Sequence, residues 1–99
     1  MAESSWKYET VAASQTAQAL GAAGAAGDRV NKLIISVATA ASGTVALLDN
    51  ATSIPITAAN TAIGVYTVDF GDVGIVSVSG AWKITTGAGA TVIALGSFT

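Results

Sequence analysis

Gly64-Val65-Tyr66-Thr67-Val68-Asp69-Phe70-Gly71-Asp72 decides how the chain is read. Successive side chains of an extended chain point to opposite faces. Tyr66, Val68 and Phe70 therefore share one side with Gly64, while Val65, Thr67 and Asp69 share the other. The period of two and the closing Gly-Asp pair describe a half-buried β-strand that ends in a turn, with Tyr66, Val68 and Phe70 facing inward.

The same rhythm extends in both directions. Turn residues recur at Ser42-Gly43, Asp49-Asn50, Ala59-Asn60, Gly71-Asp72, Ser79-Gly80 and Gly87-Ala88-Gly89, roughly 7 to 12 residues apart. Between them lie the expected strands Arg29 to Thr39, Thr44 to Leu48, Thr52 to Ile56, Ala62 to Phe70, Val73 to Val78, Ala81 to Thr86 and Ala90 to Leu95. Such short intervals leave no chain for crossover helices, so the pairing should be antiparallel. Val76 and Val78 are expected to point inward against Ser77 and Ser79, and Trp82 and Ile84 to share a face opposite Lys83 and Thr85. Leu33-Ile34-Ile35 and Val92-Ile93 are apolar on both faces. A central strand of a sandwich that is also covered by a neighbouring subunit would have that character.

Residues 1–27 differ in kind. Trp6-Lys7-Tyr8-Glu9-Thr10-Val11 alternates and reads as an extended segment. Val11 to Leu20 is open between strand, favoured by Thr10, Val11, Ser14 and Thr16, and helix, favoured by Ala12, Ala13, Ala17 and Ala19 with Gly21 at its end. Gly21-Ala22-Ala23-Gly24-Ala25-Ala26-Gly27 is a low-complexity loop. It lacks the strand context of a dinucleotide-binding turn and the Gly-Lys-Ser/Thr of a phosphate loop. The expected organisation is one unit: an N-terminal arm and Gly/Ala loop over 1–27, and a β-sandwich core over 28–99.

Composition narrows the chemistry. The chain has 99 residues, 52% of them hydrophobic and 10% charged, with no cysteine and no histidine. Thiolate nucleophiles, imidazole bases, a disulfide framework and the usual zinc, copper and haem ligands are thereby removed. Asp69 and Asp72 are the one close carboxylate pair in the C-terminal part, and capping of a turn is the commoner role for such residues. Serine lacks a Ser-x-x-Lys or Gly-x-Ser-x-Gly setting, and Asn50-Ala51-Thr52, although a glycosylation acceptor by pattern, reads as a turn. No catalytic residue, cofactor or metal is expected. A net charge of -2 without a basic stripe argues against nucleic acid. The longest uncharged run, Asn50 to Val68, is too polar for a membrane span. The start of the chain has no signal-peptide pattern, which points to synthesis in the cytoplasm.

Charge is sparse beyond Lys32, with only Asp49, Asp69, Asp72 and Lys83 from Leu33 to Thr99. Large uncharged areas must then reach the surface, and contiguous patches of that kind mark interaction sites. The candidate partner contacts are Trp6, Tyr8 and Val11 in the N-terminal segment, Leu33, Ile35 and Ile93 in the two-sided apolar runs, and Phe98 near the other end.

Leu20-Gly21-Ala22-Ala23-Gly24-Ala25-Ala26-Gly27-Asp28, Val45-Ala46-Leu47-Leu48-Asp49 and Gly80-Ala81-Trp82-Lys83-Ile84-Thr85-Thr86-Gly87-Ala88, continued by Val92-Ile93-Ala94-Leu95-Gly96, resemble small structural proteins of tailed bacteriophages. These are head decoration or cement proteins built as β-sandwiches, and the resemblance covers the chain from about Thr10 onward. It implies an all-β, jelly-roll-like antiparallel sandwich of about seven to eight short strands with an extended N-terminal arm. It also implies a place on the capsid surface of the virion, where a homotrimer or a dimer contacts the major capsid protein. A receptor- or carbohydrate-binding module of a phage fibre, spike or tail is the alternative with the same fold.

Overall fold

The computed structural model describes residues 6–40 and 42–99. They form nine strands and no helix: β1 (Lys7–Val11), β2 (Gln18–Ala19), β3 (Arg29–Val37), β4 (Val45–Asp49), β5 (Thr52–Thr57), β6 (Gly64–Asp69), β7 (Ile75–Val76), β8 (Trp82–Thr85) and β9 (Ala90–Ser97). The first sheet runs β1-β9-β3-β6, with β7 also paired to β3; the second runs β2-β8-β4-β5. Every pairing is antiparallel.

Both sheets contribute to one hydrophobic core. Val11, Val30, Leu33, Ile35, Val37, Ala90, Val92 and Ala94 come from the first sheet, and Val45, Leu47, Trp82 and Ile84 from the second, with Leu20 and Phe98 added from just beyond β2 and β9. Tyr66, Val68 and Phe70 pack against this cluster, while Val65, Thr67 and Asp69 are exposed, so the faces read from the alternation of β6 hold. Trp82 and Ile84 are buried opposite half-buried Lys83 and Thr85, as the period also required.

One expectation is corrected and two are narrowed. Val76 and Val78 are exposed, and Ser77 is the buried residue of that segment. The reason is hydrogen bonding: Ser77 Oγ accepts from Gly27 N–H and donates to Ala25 C=O, and its N–H donates to Asp28 C=O. With β7 reduced to two residues, these polar bonds set the face and the apolar count does not. Residues 11–20 form no helix. Ser14 and Ala17 take positive φ, which breaks any helical run, and beyond Val11, the last residue of β1, only Gln18–Ala19 is in a strand, on the edge of the second sheet. Finally, the described part of the expected arm includes β1, which is hydrogen-bonded along β9 as an edge strand. The rest of the expected arm, residues 1–5, lies outside the described residues.

The Gly/Ala loop is packed rather than slack. Gly24 has φ +72, and a Cβ placed there would overlap the methyl of Ala81. Asp28, 5% exposed, closes the loop: its carboxylate accepts from Ala25 N–H at 3.1 Å, Thr99 N–H at 3.0 Å and the Thr99 hydroxyl at 3.0 Å. Its carbonyl accepts the indole N–H of Trp82 at 2.9 Å. Gly24→Ala should therefore cost about 2 kcal/mol, from left-handed strain plus the overlap. It would be read as a lower urea midpoint with an unchanged slope.

Candidate interaction surface

The register places side chains on the outer face of the first sheet, the side turned away from the core. Cross-strand rows can be followed directly. Tyr8 lies opposite Leu95, Leu95 opposite Lys32, and Lys32 opposite Asp69. The next row is Thr10, Ile93, Ile34 and Thr67, and the third is Thr91, Ser36 and Val65.

Ile34, Ile93 and Leu95 sit on the two central strands and are half-buried by their own neighbours, while Tyr8, Thr10, Ser36, Val65 and Thr67 around them are exposed. Lys32 and Asp69, cross-strand neighbours at one end, are the charged members of these rows. On the open side of a central strand isoleucine gains only a cross-strand contact within the monomer, and threonine would satisfy β-propensity about as well. Such a face is readily desolvated because few charges must lose water.

The seven residues singled out from sequence divide on this geometry. Tyr8 is 72% and Trp6 40% exposed, and Ile93 is half-buried in the middle of the outer face. Val11, Leu33, Ile35 and Phe98 point between the sheets and are buried in the chain's own core, so they have no surface to offer a partner. The two-sided character of Leu33-Ile34-Ile35 does not tell which members face out. Ile34, Leu95 and Val65 were missed. Parity would have supplied Ile34 once Leu33 and Ile35 were fixed inward.

Elsewhere the surface offers less. Val73, Val76 and Val78 are exposed along one segment, 44% or more each, beside Arg29, which donates to Val73 C=O. An open concavity of about 370 Å³ lies along β4 and β5, lined mainly by Val45, Pro55, Ile56 and Thr57. The carboxylates act locally: Asp69 accepts from Gly71 N–H, and Asp49 accepts from Val78 and Ser79 N–H. Among the described residues no three acidic side chains gather as a metal site would need. Buried Asn31 donates to Gly71 and Asp72 C=O, which fixes the 71–73 turn against a bulge in β3. Its Oδ1 has no partner among the described residues.

Comparison with protein-family models, with curated proteins and with solved structures returned no match.

Proposed function

We propose that the chain is a non-enzymatic structural protein of a tailed-bacteriophage virion, a decoration or cement protein that stabilises contacts between major capsid proteins. It is made in the host cytoplasm and ends on the capsid surface, self-associated as a homotrimer or a dimer. The observation that carries this reading is the outer face of the first sheet, where Ile34, Ile93 and Leu95 line the two central strands beside threonine, serine and valine. That surface suits repeated contact with a protein shell, where weak affinity per contact becomes firm retention through multivalency.

The strand order supports a jelly-roll sandwich as its frame. Position by position, β1-β9-β3-β6 and β2-β8-β4-β5 hold consecutive strands: β1 with β2, β9 with β8, β3 with β4 and β6 with β5. This is the winding of eight strands in two Greek keys, with β7 as an addition, and it is common in capsid proteins and lectins alike. Fold alone does not choose between them. Exposed Trp6 and Tyr8 favour the second reading, a sugar-binding module of a fibre or tail, since exposed aromatics can pack on sugar rings.

Co-sedimentation with heads of the source particle stripped of this chain separates the two. The wild type should bind, and Ile34→Asp with Ile93→Asp should weaken binding more than about 100-fold, because unpaired carboxylates would be buried against the shell. Absence of head binding together with a positive glycan array would replace the first reading by the second.

A further inference from the structure

The edge strands of the two sheets differ in how they meet solvent, and β7, paired only to β3, has just two residues. Unpaired edges invite another strand and are commonly blunted by proline, bulges, shortness or charge. β2 has two residues. β5 carries Pro55 and a register break opposite Val45/Ala46. β6 carries Asp69 and no cation, so no self-pairing of β6 could set that carboxylate against an opposite charge. β1, Lys7-Tyr8-Glu9-Thr10-Val11, is unbroken, pairs to β9 in continuous register and contains no proline or glycine.

We propose that two copies of this chain pair edge to edge through β1, antiparallel about a two-fold axis at Tyr8, with Lys7 of each copy opposite Glu9 of the other. The register follows from parity and charge. A continuous sheet requires opposed residues to point to the same face, so the axis must pass through a residue and not between two. An axis at Lys7 opposes lysine to lysine, and one at Glu9 opposes glutamate to glutamate. The axis at Tyr8 opposes Lys7 to Glu9 twice, Tyr8 to Tyr8, and Trp6 to Thr10. Lys7 and Glu9 have the parity of core-facing Val11, which puts them on the inner side of the sheet, while Tyr8 and Thr10 lie on the open side. Glu9 is already held by bonds from Gln18 Nε2 at 3.1 Å and Gly21 N–H at 2.7 Å, so it meets the incoming lysine in a fixed position. Pairing covers Tyr8 and Trp6, aromatic types that dominate interface energetics, and joins the two outer faces into one.

A strand of this length buries less than the roughly 800 Å² per partner of a standard interface. The dimer is therefore weak in isolation, with a dissociation constant on the order of 10–500 µM. The inference deepens the self-association part of the proposed function, choosing the dimer, and does not depend on capsid binding.

Sedimentation velocity of the isolated chain across that concentration range tests it. A monomer–dimer equilibrium is expected, weakened about tenfold by Lys7→Glu, with a smaller difference at high salt. A melt at low concentration checks that this exposed substitution leaves the fold intact. Because the chain has no cysteine, single cysteines report proximity cleanly. Tyr8→Cys should form an interchain disulfide readily, since opposed Cα atoms about 4.5–5.5 Å apart fall in the allowed range. Thr10→Cys should not, its partner lying about 13 Å away along the strands. A chain that stays monomeric to about 1 mM, a trimer, equal cross-linking at both positions, or full dimerisation of Lys7→Glu would each overturn the proposal. A monomer that still binds heads would leave the capsid reading standing.

Discussion

Ile35→Ala should lower stability by about 2–5 kcal/mol, whereas Ile34→Ala, at the neighbouring position of the same strand, should cost about 1 kcal/mol or less. Both remove the same atoms. Ile35 is fully buried between the sheets opposite Tyr66 and Val92, so the deleted volume leaves a cavity lined by close-packed neighbours. Ile34 lies on the outer face opposite Thr67 and Ile93, where solvent fills the space. For a domain of this size the core substitution corresponds to a fall of roughly 10–30 °C in melting temperature, readily separated from the other by calorimetry. Equal costs would mean that β3 is covered on both sides within the monomer, and the reading of the outer face would fail. Under the proposed function, Ile34→Ala should also reduce head binding while leaving the melt nearly unchanged.

Asp28→Ala should be the costliest polar substitution, at about 3 kcal/mol. Its carboxylate accepts three hydrogen bonds, from Ala25 and Thr99, at a site 5% exposed to solvent. Alanine would strand those donors, each at a cost of about 1–3 kcal/mol when buried, partly recovered by water reaching the loop. Asp28→Asn should cost less, since its amide oxygen keeps part of the acceptor capacity. Hydrogen exchange would locate the damage: the amides of Ala25 and Thr99 should lose protection first, and those of β3 and β9 last. Uniform loss of protection would show that Asp28 supports the whole core and not the loop alone.

Strand positions from Arg29 onward were legible because turn chemistry and period-two alternation agree there. β6 was read to its faces for the same reason: Tyr66, Val68 and Phe70 are separated by residues of another character. Ser77 was misread because apolar counting has no term for a hydroxyl satisfied by a loop about fifty residues earlier in the chain. Glycine and alanine at 21–27 looked featureless, since their role lies in close approach to Ala81, a neighbour no local pattern reveals. At the surface, sequence showed β3 and β9 to be apolar on both faces but not which members point outward, because Leu33-Ile34-Ile35 has no polar residue to mark a side. Phe98 was assigned outward from its place near one end of the chain; Asp28, which binds the adjacent Thr99, holds that segment on the core.

The pairing of β1 with β9 joins Lys7 to Gly96, nearly the full length of the chain, and this governs when the protein can fold. At ribosomal speeds of about 5–20 residues per second, β1 waits several seconds before its partner strand exists. During that interval Val11, fully buried in the finished fold, has no core to enter. Of the first sheet only β3, β6 and β7 can pair before β9 is made, and completion of the sheet belongs to the slow millisecond-to-second class of topologies dominated by distant contacts. Until β9 is made, both edges of the β1 segment are unpaired, and an unpaired strand is open to pairing with another chain.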